Sequence, residues 1–96
     1  MIRVRFSGCR MEAEGHAGFA PEGPDLVCAA FSMLMYTLRA NLEALDPPGL
    51  EIYMAPGEVH MAFRYNTRAM AVLDFAKRGV KLLAEQYPQC IRCENF

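Results

Sequence analysis

No stretch of this sequence approaches the ~20 consecutive apolar residues that a membrane-spanning helix needs. The longest nearly apolar run, Leu26 to Tyr36, has 11 residues, so a soluble chain with no membrane partner is expected. Charge of one sign is also lacking: ten Lys and Arg against eleven Asp and Glu leave a formal −1. Nonspecific nucleic-acid binding needs a basic excess to displace phosphate counterions, so no direct nucleic-acid partner is expected. No repeat, low-complexity tract or interdomain linker divides the 96 residues, which predicts one domain over 1–96. The opening Met-Ile-Arg-Val-Arg-Phe has no apolar signal-peptide block. The expectation is a cytoplasmic protein whose four cysteines stay reduced. What is abundant is apolar residues, 53% of the chain, enough for one modest core and too many for a disordered segment.

Ile2, Val4 and Phe6 alternate with Arg3 and Arg5, the period of a half-buried strand. After Ser7-Gly8, Met11, Ala13 and Gly15 alternate with Glu12 and Glu14, which predicts a hairpin with opposite charges across its solvent face. A glycine- and proline-rich stretch, residues 15–24, reads as a loop. Asp25 then offers a helix cap, and Val27, Phe31, Leu34, Leu38, Asn41 and Leu45 follow at helical spacing. Asp46-Pro-Pro-Gly49 stops that helix. Leu50, Ile52 and Met54 predict a third strand, Val59, Met61, Phe63 and Tyr65 a fourth, with Ala55-Pro-Gly-Glu58 as the turn between them. Asn66 or Thr67 caps a second helix with the stripe Ala69, Leu73, Ala76, Val80, Leu83 and Tyr87. The predicted fold is α+β in two layers. A four-stranded, mainly antiparallel sheet carries both helices on one face (ββαββα), and a short terminal strand over Cys90 to Cys93 is optional.

Unusual chemistry concentrates where the glycine-rich loop meets the first helix. Cys28 falls in the helix's first turn, where free N–H groups and the helix dipole favour a thiolate over a thiol. His16 opens the loop. A thiolate beside a proton donor is what cysteine nucleophilic catalysis requires, and N–H groups at the helix start, those of Cys28 and Ala29 among them, could hold an oxyanion. Spacing alone leaves a second reading open: a core cysteine in an apolar helix and a solvated loop histidine. Asp25 reads as the cap in preference to a group orienting His16. Ser32, one turn beyond Cys28 on the same face, is placed either to bond near the site or to bond a backbone carbonyl.

The wording of the segment is more specific than its spacing. Gly15-His-Ala-Gly-Phe-Ala-Pro-Glu-Gly-Pro-Asp-Leu-Val-Cys-Ala-Ala-Phe-Ser32 resembles the Prp family of ribosomal-processing cysteine proteases. That family shares a Gly-His-Ala segment followed by Gly-x-Asp-[apolar]-Val-Cys-Ala-Ala-x-Ser. The resemblance implies His16 as catalytic histidine and Cys28 as nucleophile, with Asp25 and Ser32 at the other polar positions of the motif. It implies a cytoplasmic homodimer, without cofactor or metal, that trims the N-terminal extension of large-subunit ribosomal protein L-twenty-seven. In that reading a loop bearing Gly15, Gly18 and Gly23 rearranges to admit an extended peptide.

Two rivals remain at this level. One is a noncatalytic peptide-binding assembly factor of the same fold. The other is a metal-binding domain built on Cys90-Ile-Arg-Cys93, which supplies only half of a four-ligand zinc site and whose thiols would face opposite sides of a strand. His60 is read as solvated on a charged strand face, and the seven methionines as core filling.

Overall fold

The computed structural model describes residues 1–16 and 24–94. The elements run β1 (Ile2–Ser7), β2 (Arg10–Glu14), α1 (Pro24–Leu45), β3 (Glu51–Ala55), β4 (Glu58–Ala62), α2 (Thr67–Gln86) and β5 (Ile91–Glu94). The strands form one sheet in the order β3-β4-β2-β1-β5. The sheet therefore has five strands, one more than the alternating pattern predicts as essential. The added strand β5 pairs parallel with β1, Ile2 opposite Ile91 and Val4 opposite Cys93. The other three pairings are antiparallel.

The β1–β2 hairpin follows its alternation. Ile2, Val4, Phe6, Met11 and Ala13 are buried, and the charged residues between them lie outside. Arg5 and Glu12 are direct cross-strand partners, and Arg5 Nη2 stands 3.4 Å from Glu12 Oε2. That exposed pair contributes little stability, at most about 1 kcal/mol, but it is met only in this register. Met11 and Met61 face each other across β2 and β4, both fully buried. Burying such a side chain contributes roughly 1.5–3 kcal/mol.

Both helices cover the same sheet face, and their buried residues join the strand residues in one core cluster. In α2 the buried set is Ala69, Leu73, Ala76 and Val80. Asn66 caps it, its Oδ1 accepting from the Ala69 N–H at 3.0 Å. In α1 the buried set is Val27, Phe31, Met35, Leu38 and Leu42. The expected stripe drifts from this: Leu34 and Leu45 are half-buried, and Asn41 is exposed, donating from Nδ2 to the Thr37 carbonyl at 2.8 Å. Asp46 ends the helix with a left-handed backbone, φ 48°, its N–H donating to the Leu42 carbonyl at 2.8 Å. Aspartate tolerates that conformation better than most residues.

Candidate active site

The site is assembled where β2 ends, α1 begins and the β3–β4 turn folds over. Gly15 leaves β2 with φ +96° and its N–H donates to the Gly57 carbonyl at 2.9 Å. A Cβ at Gly15 would run into the Met1 backbone carbonyl, so this position takes glycine alone. The sequence groups Gly15 with the moving loop; the structure bonds it to Gly57 at the end of the central strand β2. Gly18 and Gly23, the other positions of that loop, lie outside the described residues.

His16 follows immediately and rests against Gly57, whose own φ is +77°. A Cβ there would stand 2.8 Å from His16 Nε2 and 3.2 Å from its Cε1. The imidazole thus occupies the space that any other residue at 57 would fill. From the opposite side α1 presents Cys28, Phe31, Ser32, Met35 and Tyr36, which with His16, Met54 and the 55–59 segment line an open pocket of about 270 Å³. Cys28 is half-buried. Side chains on a helix tilt toward its N-terminus, so a residue at this position covers the first turn. Among the described residues no hydrogen bond joins His16 to Cys28, and the histidine with a carboxylate partner is His60, beside Glu58.

Two details of the helix start differ from expectation. The helix takes in Pro24, so Asp25 lies within the first turn and not at the flanking cap position. Proline is favoured there because its missing N–H has no intrahelical partner to lose. With Pro24 helical, the Cys28 and Ala29 N–H groups fall inside the i→i−4 ladder. The free donors of the first turn belong to Asp25 and the residues just after it. Ala29 is exposed and is not among the residues lining the pocket. The segment that sequence reasoning treated only as a turn, Pro56-Gly57, proves to be a wall of the site. Tyr36 was also missed, although it follows Cys28 and Ser32 at one-turn intervals and so was legible from helical spacing.

The family model for cysteine protease Prp matches residues 1–92. This chain belongs to the Prp family of cysteine proteases. A ribosomal processing cysteine protease Prp from Mycoplasma pneumoniae is 30% identical over 95 residues, covering 99% of this chain and 95% of the relative. Crystal structures share the fold. That of SMU.848 from Streptococcus mutans superposes with a TM-score of 0.81 at 27% identity, covering 100% and 94% of the two chains. That of the ribosomal processing protease Prp from S. aureus, in complex with a covalently linked product peptide, superposes with a TM-score of 0.81 at 19% identity, covering 99% and 97%. The chain is therefore a cysteine peptidase of the ribosomal-processing family, and its motif residues His16, Cys28 and Ser32 line one pocket.

The remaining cysteines sit elsewhere. Cys90 is buried just before β5, and Cys93 packs against the same core. The two therefore do not face opposite sides, because Cys90 precedes the strand. Among the described residues no cluster of three or more His, Cys, Asp or Glu side chains is placed to hold a metal ion. Cys93 Sγ lies 3.8 Å from the Val80 carbonyl as a donor, and burial pushes its thiol up to about 11, partly opposed by the Lys81 charge. Folding thus holds a proton that the unfolded chain releases near the ordinary value of 9.0. The stability tied to this neutral thiol is present below that value and is lost as pH rises through about 11. Because the thiolate is the species that alkylates, iodoacetamide at neutral pH should leave Cys93 unmodified. Labelling of that site should appear only as the solution approaches its raised value, as peptide mass mapping across a pH series would read. Modification of Cys93 at neutral pH as fast as a free thiol would contradict the burial argument. His60 lies on the outer sheet face, with Nε2 2.8 Å from Glu58 Oε1 and its ring 6.0 Å from that of Tyr53.

Proposed function

We propose that this chain is the endopeptidase that removes the N-terminal extension of ribosomal protein L-twenty-seven during ribosome assembly, acting in the cytoplasm as a homodimer. The observation that carries the reading is the shared pocket. His16 and Cys28, separated in sequence by the glycine-rich segment, line one cavity at the start of α1 in a chain of the ribosomal-processing family. A peptide as the substrate class is supported by the fold relatives from S. aureus, whose Prp has been crystallised with a substrate peptide and with a covalently linked product peptide.

In this mechanism the Cys28 thiolate attacks the scissile carbonyl carbon, and the C=O electron pair moves onto oxygen. The free N–H groups at the start of α1 and the positive end of its dipole stabilise that oxyanion. The tetrahedral species collapses with loss of the amine, which takes its proton from the His16 imidazolium. A thioester to Cys28 remains. Neutral His16 then removes a proton from water, hydroxide equivalent adds to the thioester, and the thiolate leaves. Ser32 lines the same pocket one turn from Cys28.

Incubating the protein with an L-twenty-seven precursor should yield mature protein and the released extension by intact-mass spectrometry. An unchanged precursor that nevertheless binds would instead identify a noncatalytic peptide-binding assembly factor. Sedimentation at micromolar concentration tests the dimer.

A further inference from the structure

We propose that the free edge of β3 receives the extended substrate peptide as an added strand and so leads its scissile bond into the pocket of His16 and Cys28. The proposal rests on the protease reading above and names the surface that recognises the peptide's main chain. β3 ends the sheet, and the phase of the hydrogen-bond ladder decides which of its groups are free. In an antiparallel pair, alternate residues direct both main-chain groups to the same neighbour. The Gly15 N–H bonds the Gly57 carbonyl at 2.9 Å and the Phe63 N–H bonds the Cys9 carbonyl at 3.1 Å. These bonds flank the pairs Ala13 with Val59 and Met11 with Met61, so Gly57, Val59, Met61 and Phe63 bond toward β2. Glu58, His60 and Ala62 therefore bond toward β3. Their partners Ala55, Tyr53 and Glu51 bond back to β4.

Ile52 and Met54 are then the residues whose N–H and C=O groups point away from the sheet at its edge. Their side chains are half-buried against the core, and Met54 also lines the catalytic pocket, together with Ala55 and Pro56. The edge and the pocket are thus one continuous surface. Proteins commonly blunt an exposed edge with lysine, proline or a bulge. β3 has neither lysine nor proline, and its pairing with β4 runs without a bulge. The opposite edge, β5, contributes no residue to the described pocket lining. An extended peptide bonded to Ile52 and Met54 gains affinity that depends on its backbone and not on its side chains.

Amide hydrogen exchange of Cys28→Ala tests this, with a synthetic peptide spanning the junction between the L-twenty-seven extension and the mature protein. In the free protein the Ile52 and Met54 amides should exchange rapidly. Peptide should slow both by about tenfold or more while Tyr53, already in the ladder, stays unchanged. Bound peptide, seen by fluorescence anisotropy, with no slowing at 52 and 54 would overturn the proposal, and so would edge amides already protected by a second copy. In the active protein, Ile52→Pro removes one outward N–H that the β3–β4 ladder does not use, while Ile52→Ala removes the side chain alone. The proline variant should show kcat/KM about fivefold below the alanine variant, the size of one lost hydrogen bond, with equal iodoacetamide rates at Cys28. Equal kcat/KM in the two variants would overturn the edge proposal while leaving the protease reading standing. A wild-type protein that neither cuts nor binds the peptide would overturn both.

Discussion

Cys28→Ala should abolish peptide cleavage, by a factor on the order of 10⁴ or more in kcat, while the thermal transition stays near that of the wild type. The cysteine is half-buried at a pocket wall, so removing its sulfur opens onto solvent-accessible space and leaves the core methionines untouched. The chemistry, by contrast, has no substitute: the other thiols are buried or half-buried away from the pocket, and Cys93 is held protonated by burial. Cys28→Ser should fail almost as completely, because a hydroxyl does not ionise near neutral pH and depends on a strong base. His16→Ala should also lose cleavage, by about 10²–10⁴, since the imidazole assigned to protonate the leaving amine is gone. It should nevertheless retain iodoacetamide labelling of Cys28, because the substitution leaves that thiol in place at the pocket wall. Progress curves on a fluorogenic peptide, beside calorimetry, distinguish these outcomes. Near-normal turnover in Cys28→Ala would refute the assignment of the nucleophile.

Much of this arrangement was legible because local periodicity and tertiary burial agree. The alternation of Ile2, Val4 and Phe6 survives because a single sheet face is covered. The stripe Ala69, Leu73, Ala76 and Val80 survives because its helical spacing coincides with burial, even though α2 also carries the exposed apolar residues Phe75 and Leu82. In α1 there is a second choice: Leu26, Met33 and Tyr36 are large, apolar and exposed, so apolar spacing does not single out one face. The core takes Met35 and Leu42, where a strict alternation of fours and threes selects Leu34, Asn41 and Leu45. β5 shows too little pattern to be required by sequence. It has four residues, and its parallel partner β1 lies at the other end of the chain. The candidate pair His16 and Cys28 stood out through motif wording, and the fold brings both to one pocket. The wall behind His16 was not, because Pro56-Gly57 is an ordinary hairpin turn until the fold brings Gly15 and His16 against it.

That wall yields the sharpest separation of stability from function. Gly57→Ala should lower kcat by about a hundredfold, since displacement of a catalytic group by about 1 Å can cost that much. Two costs arise at once. The backbone at 57 has φ +77°, which costs a residue with a Cβ roughly 1–2 kcal/mol. The new methyl would also stand 2.8 Å from His16 Nε2, so the imidazole has to swing away from its position beside the pocket. Gly8 supplies the control. It has φ +58° in the β1–β2 turn, and a Cβ there meets nothing within 4 Å. Gly8→Ala therefore carries the same kind of backbone cost without touching the site. Both variants should melt lower, by about 4–8 °C for each kcal/mol lost, yet only Gly57→Ala should lose turnover. Steady-state kinetics at a temperature where both remain folded decide the matter. Parallel losses of activity in the two variants would mean that the turn acts through stability alone, and equal, undiminished activity would mean that His16 tolerates displacement and Gly57 does not position it.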